Sequence, residues 1–586
     1  MDSWIHPAFF FFLGSLLLPF IKGNAKKFII LLIPVLSIID VALMREGVYG
    51  SFNFIGTTVV FGRVDKLSMV FAWVFTIMAF LGSLYALHVK EDGHHAAGNF
   101  YVGGSLGAIF AGDYLTLFIF WEIMAFSSVF LVWYRKEKRS IEAGYRYLLV
   151  HVFGGLCLFT GMMLYAYKTG SFVFDSIGQS GAGIPEYLIL AGFALNAAVI
   201  PLHAWLPDAY PEATVEGAVF MCAFTTKTAV YVLARGFSGF EILAILGTAM
   251  TVYGVFYAVI ENNIRRVLAY HIVSQVGYMV AGVGIGTELA INGACAHAFA
   301  HILYKALLFM GAGAILYMTG TAKLSRLGGL YKYMPLTMIF YIVGAISISG
   351  FPLFSGFVSK SMIVASAHEK GRLMLLTFMN LAGIGTFLSV GLKVTYFAFF
   401  GKEAPIKAKE PPKNMLWAMG LTSALCFIIG VYPDSLYVLL PYPVEYHPYT
   451  LMHLSEMLQI LSFTGLVFFL LVKKLAPEDK LNLDLDIFYR MGGRVFMWID
   501  NYIISVIDGF WGELYRILGL KILFKNADIS YGFDRKVIDG VVDGSALGVR
   551  GFGGIIKKLQ TGRIQAYMGF AVLFIVLIVW LLIRGM

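Results

Sequence analysis

Two ionisable side chains lie deep inside apolar stretches of this sequence. Glu122 lies within residues 118–124 (FIFWEIM) and Lys227 within residues 224–230 (FTTKTAV). A charged group in the middle of a lipid bilayer is costly and normally faces a bundle interior or water. Because burial disfavours the charged form of such groups, their proton affinity can be tuned for exchange. The pattern predicts proton-exchanging sites rather than structural charges.

Three further ionisable residues share one helical face. His297, His301 and Lys305 are spaced i, i+4 and i+8, which places them over about 12 Å along one side of a helix. We interpret them as a section of a proton relay in which water fills the gaps. The alternative, a metal site at the two histidines, is not expected.

Other candidates are expected to serve the same path. Lys393 and Glu216 lie close enough to span ends that the alternative for them is to reach the lipid headgroups. The alternative for His203 is that it merely caps carbonyls of the broken helix. The further candidates are Lys360, His271, His203, Asn196, Lys393, His151 and Glu216.

The composition places these groups in a membrane. The chain of 586 residues is 59% hydrophobic and 13% charged, and its mean hydropathy is +0.78. A soluble domain carries about 25% charged residues. The net charge of +9 lies in short loops between apolar runs, which is typical of membrane orientation rather than nucleic-acid binding. The four cysteines occur singly, so neither a cofactor nor a metal is expected.

The apolar runs predict an all-α polytopic membrane protein. A spanning helix needs about 20 apolar residues, and the first run lacks the features of a signal peptide. About sixteen spans are expected, at residues 7–21, 28–44, 67–88, 99–113, 114–134, 145–167, 187–206, 216–236, 240–260, 267–286, 290–317, 336–364, 374–400, 415–433, 451–473 and 566–584.

Lysine and arginine in the loops predict the orientation. With the N-terminus outside, the inner loops hold more basic residues than the outer loops, as in the run 135–139 (RKEKR). This arrangement places the polar stretch 474–565 on the cytoplasmic side of the cell (inner) membrane. Its mixture of aromatic, charged and glycine residues favours an amphipathic lateral segment over a loosely ordered loop.

Two spans are interrupted by proline and glycine. The first interruption covers residues 195–208 and the second covers 347–360, and each lies beside polar or titratable groups. Proline breaks a helix, and in lipid such breaks persist only beside protein or a wet cavity. Paired breaks are typical of transporters built from inverted repeats, although ordinary proline kinks are the alternative.

The spans and breaks together predict a division of the chain. The predicted regions are N-terminal helices at 1–98, a first five-helix repeat at 99–236, a second at 240–400, additional helices at 415–473, the lateral segment at 474–565 and a final anchoring helix at 566–586.

Several motifs resemble a known family. The chain is similar to the antiporter-like membrane subunits shared by respiratory complex I (NADH:quinone oxidoreductase), Mrp-type Na⁺/H⁺ antiporters and membrane-bound hydrogenases. The tail motifs at 534–539 and 559–567 resemble the end of the longest such subunit, which has a lateral helix and a final anchor. The other matching stretches are 112–122, 201–208, 266–271, 301–309, 327–335 and 349–360.

The resemblance implies roles for particular residues. It implies a proton-exchanging glutamate at Glu122, relay residues at Lys227, His301 and Lys305, and an exit residue at Lys360. Where the family usually has a lysine in its first broken helix, this chain has Asn196. An amide carries no proton charge, so either Lys227 becomes the partner of Glu122 or the first half-channel is inactive.

These observations lead to one functional hypothesis and two alternatives. The hypothesis is a subunit of a multisubunit complex that translocates protons, or exchanges Na⁺ for protons, with other membrane subunits as partners. No catalytic chemistry is expected in this chain itself, although the complex could be a redox enzyme. The alternatives are a structural subunit with an inactive half-channel, which Asn196 favours, and an intramembrane transferase, for which no nucleophile is apparent.

Overall fold

The computed structural model describes residues 4–54, 56–406, 408–479 and 484–585. The described chain forms two compact units, Met1–Asp486 and Ile487–Met586. Lys407 in a predicted inner loop, and residues 480–483 of the predicted lateral segment, lie outside the described residues.

The first unit begins with three helices and a β-hairpin. Strands β1 and β2 are antiparallel, with Ser51 opposite Val60. The hairpin was not predicted, although Thr57–Val64 (TTVVFGRV) is rich in the β-branched residues that favour strands. The elements are α1 (Ala8–Leu17), α2 (Gly23–Leu43), β1 (Gly47–Phe54), β2 (Thr57–Val64) and α3 (Lys66–Tyr85).

The next helices contain the first predicted break. Asp113 caps the second of them by accepting hydrogen bonds from Thr116, and it also accepts from the Val60 backbone of the hairpin. The helices are α4 (Asp92–Phe110), α5 (Tyr114–Trp133), α6 (Lys138–Thr169), α7 (Ile184–Asn196), α8 (Trp205–Ala209), α9 (Val215–Met221) and α10 (Thr225–Gly236).

The remaining helices of the first unit contain the second break. The helix that begins at Leu373 continues through two π-helical segments, Phe387–Val394 and Tyr396–Phe400. The helices are α11 (Glu241–Ile260), α12 (Ile264–Ile285), α13 (Glu288–Thr319), α14 (Pro335–Ser349), α15 (Ser355–Glu369), α16 (Leu373–Thr386), α17 (Lys413–Val431), α18 (Asp434–Tyr437) and α19 (Leu451–Leu471).

The second unit is helical, and its first helix begins at the unit boundary. Short π-helical segments connect its first four helices. The helices are α20 (Asp486–Ile499), α21 (Ser505–Leu514), α22 (Ile522–Phe533), α23 (Asp539–Leu559) and α24 (Ile564–Arg584).

The helices agree with the predicted spans. Among the described residues, 11 helices are long and apolar enough to cross a membrane, and three shorter apolar helices accompany them. Helices α2 and α4 account for the predicted spans 28–44 and 99–113. The predicted all-α polytopic class is therefore confirmed, whereas the proposed region boundaries stay a prediction.

Helices α12 and α13 form the centre of the bundle, since nearly all of their residues are buried. Glycines allow α11 and α12 to approach closely. A Cβ at Gly277 of α12 would lie 2.6 Å from the Gly247 carbonyl oxygen and 2.8 Å from the Thr251 nitrogen of α11. Small residues at such contacts let helix backbones pack together in membranes.

Replacing this glycine should therefore destabilise the bundle. We expect Gly277→Ala to cost about 1–3 kcal/mol, as overpacked cores do, because the added methyl meets backbone atoms that cannot rotate away. The measurement is the thermal unfolding midpoint of the protein in detergent. Gly465→Ala in α19 is the matched control, since nothing lies within 4 Å of its Cβ position. Equal midpoints for the two variants would contradict the packing account.

Candidate functional site

The first break lies inside the bundle, where a side chain donates a hydrogen bond to one of its carbonyls. Helix α7 ends at Asn196, and the chain continues without regular helix to Trp205, with Ala198 at φ 54°. The Leu195 carbonyl accepts hydrogen bonds from the Trp205 indole and from the Ala198 backbone N–H, each over 3.0 Å. Asn196 is buried, and its Nδ2 has no hydrogen-bond partner within the described chain. The break thus places an unsatisfied amide inside the bundle.

The second break has the same construction. Helix α14 ends at Ser349, and α15 begins at Ser355. Gly350 and Leu353 adopt positive φ of 75° and 73°, and the Leu353 N–H donates to the Tyr449 hydroxyl over 3.2 Å. Both predicted interruptions are real breaks rather than kinks.

A third break lies beside Lys227 and was not predicted. The predicted span 216–236 divides into α9 and α10, which end and begin around residues 222–224. The fully buried Lys227 ammonium donates to the Cys222 carbonyl over 2.6 Å and to the Thr226 hydroxyl over 3.0 Å. The lysine therefore satisfies a carbonyl that the break releases.

Helix α13 carries a buried row of ionisable groups, as its spacing predicted. His297 contacts the Ser359 hydroxyl over 3.1 Å and the Gln275 side chain over 3.2 Å. Both ring nitrogens of His301, and the ammonium of Lys305, are buried without a hydrogen-bond partner among the residues described. Most buried polar groups in proteins have a hydrogen-bond partner, so the state of these atoms calls for a specific explanation, such as a functional role or bound water.

The polar row extends into the second half of the bundle. His271 shares a 2.6 Å hydrogen bond with the Ser389 hydroxyl. Gln275, which contacts His297, also lies 3.4 Å from the Thr386 hydroxyl. These side chains connect α12, α13 and the α16 region.

Lys360 lies at the edge of a cavity of about 460 Å³ between α15, α16 and α19. Its ammonium is mostly buried and lies 4.5 Å from the centre of the Tyr278 ring, a cation–π arrangement. Glu369, His453 and Glu456 also line this cavity. Lys360 thus lines this cavity and directly follows Ser359, which contacts His297 of the buried row.

Lys393 is part of the protein interior. Its ammonium donates to the carbonyls of Val259 and Glu261 over 2.5 and 2.9 Å, and the residue is only 3% exposed. The alternative that it extends to the headgroups does not match this geometry.

Glu122 lies apart from the row. It is half-buried on α5, and a Cβ at Gly155 of α6 would lie 2.3 Å from its Oε1. That oxygen has no hydrogen-bond partner within the described part of the chain. The close α6 glycine makes room for the carboxylate, and no direct hydrogen bond to Lys227 or Asn196 occurs among the described residues.

Glu216 belongs to a cluster that the sequence did not reveal. The Glu216 carboxylate lies 3.0 Å from His88 Nε2, and His88 Nδ1 contacts the Asn414 amide over 3.1 Å. The glutamate is 7% exposed, so it does not extend to the headgroups. These partners are far apart in sequence, and no local pattern indicates the contact.

The other histidine candidates are also buried. His151 stacks on Tyr147 with ring centres 4.0 Å apart. His203 lies in the first break, with its ring edge-on to Tyr253 of α11. Among the described residues, no group of three or more His, Cys, Asp or Glu residues is arranged to hold a metal ion.

Comparison with known proteins supports the predicted resemblance. Residues 111–387, which contain both predicted breaks, match the family model described as "NADH:quinone oxidoreductase/Mrp antiporter, TM". The match confirms the resemblance for this part of the chain.

Individual relatives extend the similarity. The chain is 27% identical to one Na(+)/H(+) antiporter subunit of Alkalihalophilus pseudofirmus over 88% of its length and 66% of that protein. It is 32% identical to a different Na(+)/H(+) antiporter subunit of the same organism over 52% of its length and 65% of that protein. In both cases the chain spans less than two thirds of the relative.

A solved structure shows the same fold. A chain of the Mrp complex from Dietzia sp. DQ12-45-1b superposes with a TM-score of 0.65 at 20% identity. The superposition covers 79% of this chain and 100% of that chain. The protein is thus a multi-pass membrane protein with the fold of that chain.

The buried ammonium of Lys305 should reduce stability. We expect Lys305→Met to raise the thermal unfolding midpoint in detergent, because it removes a polar group whose burial costs about 1–3 kcal/mol. Lys332→Met is the control, since exposed Lys332 pairs with Glu403 at the surface. A lower midpoint for Lys305→Met alone would show that the ammonium stabilises the fold.

Proposed function

We propose that this chain translocates protons, or exchanges Na⁺ for protons, as one subunit of a multisubunit membrane complex. The observation that carries this proposal is the burial of Lys227, His301, Lys305 and Lys360 inside the bundle. Lys227 and Lys360 lie on helices that begin at a break, and His301 and Lys305 lie on α13. Ionisable groups inside membrane spans mark ion pathways by default. A purely structural bundle would gain stability by replacing them with apolar residues.

The proposed path uses side chains and water in turn. Glu122 exchanges a proton at one edge of the bundle, and Lys227, His301 and Lys305 pass it through the interior. The contacts of His297 with Ser359 and Gln275 support continuation of the path towards Lys360. Lys360 directly follows Ser359 on α15. The cavity beside Lys360 is the proposed exit.

Electrostatic repulsion couples the protonation of neighbouring groups along the proposed path. Lys227 and Lys305 lie close enough to repel each other when both are charged, and each also repels a charged His301. Interacting sites titrate together rather than independently. Protonation of one group thus biases the next, and a conformational change in a partner subunit could drive the sequence.

The proposal has two versions, which differ in what drives proton movement. In one, a redox complex supplies conformational or electrostatic change; in the other, Na⁺ and proton exchange occurs without redox chemistry. The names of the two relatives support the exchange version, and the family description includes both classes. Other membrane subunits are the proposed partners.

The proposed topology places the N-terminus outside the cell membrane and residues 474–565 on the cytoplasmic side. The distribution of basic residues among the predicted loops supports this orientation. Residues 486–559 form helices throughout the described part of this stretch, which is compatible with the proposed lateral segment.

A purely structural role is the competing function, and Asn196 favours it. The amide cannot carry the charge of the lysine that the family resemblance implies for this helix. Lys227, buried on α10 three helices later, is the group that we propose in its place. The two functions differ in whether transport depends on the ionisable row.

Removing either end of the path should reduce transport without preventing assembly. We expect Glu122→Gln and Lys360→Ala to lower ion transport at least about tenfold, since lost proton-transfer groups commonly cost about 10²-fold or more. The measurement is pH-gradient formation in membrane vesicles that contain the assembled complex.

Matched controls make the same two substitutions at exposed residues that lie outside the proposed path. Glu288→Gln and Lys370→Ala change exposed residues on α13 and just after α15, and they should leave transport near the wild-type rate. Full transport in both Glu122→Gln and Lys360→Ala would defeat the relay and favour the structural role.

A further inference from the structure

A carboxylate from the connector after α19 lies inside the bundle. Asp484 is 6% exposed, although it is only two residues before α20. Its Oδ2 accepts a hydrogen bond from the Tyr270 hydroxyl over 2.6 Å, and its Oδ1 accepts one from the Tyr253 hydroxyl. His203 Nε2 lies 3.5 Å from Oδ1. The connector thus inserts a charged group between the first break and helices α11 and α12.

The environment keeps this carboxyl ionised. Burial alone would raise the pKa of Asp484, but the nearby His203 ring and the hydrogen bonds from the Tyr253 and Tyr270 hydroxyls outweigh burial and lower that pKa to about 2. The two tyrosine hydroxyls that donate to Asp484 therefore favour its ionised form. A buried charge needs a partner, and His203 is the group in contact with it that can become cationic.

A second aspartate in the same connector shows the contrast. Asp479 is exposed and pairs with Lys323 over 2.6 Å and with Arg326 over 3.9 Å at the surface. One surface ion pair would be enough to attach the connector. The buried contact of Asp484 with His203 is therefore available for another role.

The position of His203 suggests that role. The residue is fully buried in the first break, and its ring packs against Tyr253 of the second half, with centres 4.7 Å apart. Neither ring nitrogen makes a hydrogen bond in the described part of the molecule, although Nε2 lies 3.5 Å from Asp484 Oδ1. When one ring nitrogen faces a carboxylate, the other is left to exchange a proton.

We propose that Asp484 is a positioning residue that holds His203 as a proton-exchanging group between the two halves of the bundle. The inference rests on the proposed function. Nε2–H stays directed at Asp484, while Nδ1 accepts a proton from a neighbouring water and later returns one to water. The positive charge of the ring then lies beside the fixed carboxylate, so no unpaired charge forms. Through this contact the connector that precedes α20 completes the proton path.

The test is a set of variants of the full chain in its assembled complex. Transport is measured across a pH range in membrane vesicles for Asp484→Asn, His203→Gln and the double variant. Asp479→Asn is the matched control, and Glu122→Gln reports on the proposed path itself. All variants keep the charged or titratable groups that surround the pair. These groups are Tyr253 and Tyr257 of α11, Glu261 in the α11–α12 loop, and Arg266 and Tyr270 of α12.

The expected result is a shared defect. Asp484→Asn and His203→Gln should each lower transport at least about fivefold and change the pH profile of transport in the same sense. The double variant should be no slower than His203→Gln, because the effects of residues that act as a unit are not additive. Asp484→Glu should restore much of the rate. Asp479→Asn should transport like the wild type.

Several outcomes would overturn the proposal. If Glu122→Gln abolishes transport while Asp484→Asn leaves the rate and pH profile unchanged, the path stands and Asp484 has no part in it. Effects that multiply in the double variant would make Asp484 a structural attachment independent of His203. If Asp484→Asn fails to assemble, an unchanged pH profile in His203→Gln is decisive against the proposal. Wild-type transport in Glu122→Gln would remove the proposed function and this inference together.

Discussion

An ionisable side chain in an apolar medium must find a polar partner or water, and the rest of this structure follows from that constraint. Lys227, His301 and Lys305 are fully buried in helices that lie within the bundle. Their charges are tolerable only where broken helices, hydroxyl groups and cavities supply dipoles. The three breaks release backbone carbonyls, and the lysine at one of them binds such a carbonyl directly. Breaks and charges therefore depend on each other.

The same constraint explains why the bundle is packed so tightly around the row. Glycines bring α11 and α12 into backbone contact, and α13 is enclosed on nearly all sides. Close packing excludes lipid from the buried groups and keeps their mutual repulsion strong, because electrostatic interactions weaken when bulk water surrounds them. Under the proposed function, such a rigid frame would couple the protonation of one buried group to that of the next. Asp484 of the connector adds a buried carboxylate to an interior otherwise rich in lysine and histidine.

Much of this arrangement could be predicted from the sequence, because membrane spans and their interruptions are local patterns. The apolar runs identified the helices, the Pro/Gly motifs identified two breaks, and the i, i+4, i+8 spacing identified the α13 row. The third break beside Lys227 was missed because no proline or glycine marks it. The contacts of Asp484 with His203, and of Glu216 with His88, join residues far apart in the chain, so no local pattern indicates them. The burial of Lys393 was uncertain for a similar reason: its carbonyl partners belong to another helix.

The central claim is that these buried groups share one hydrated passage. The most direct measurement is a cryo-EM map of the assembled complex in which ordered water is visible. The account predicts water within hydrogen-bonding distance of Lys305 Nζ and both His301 nitrogens, in a continuous chain that reaches Lys360 and its cavity. Apolar side chains sealing these nitrogens from one another, with no water between them, would contradict it.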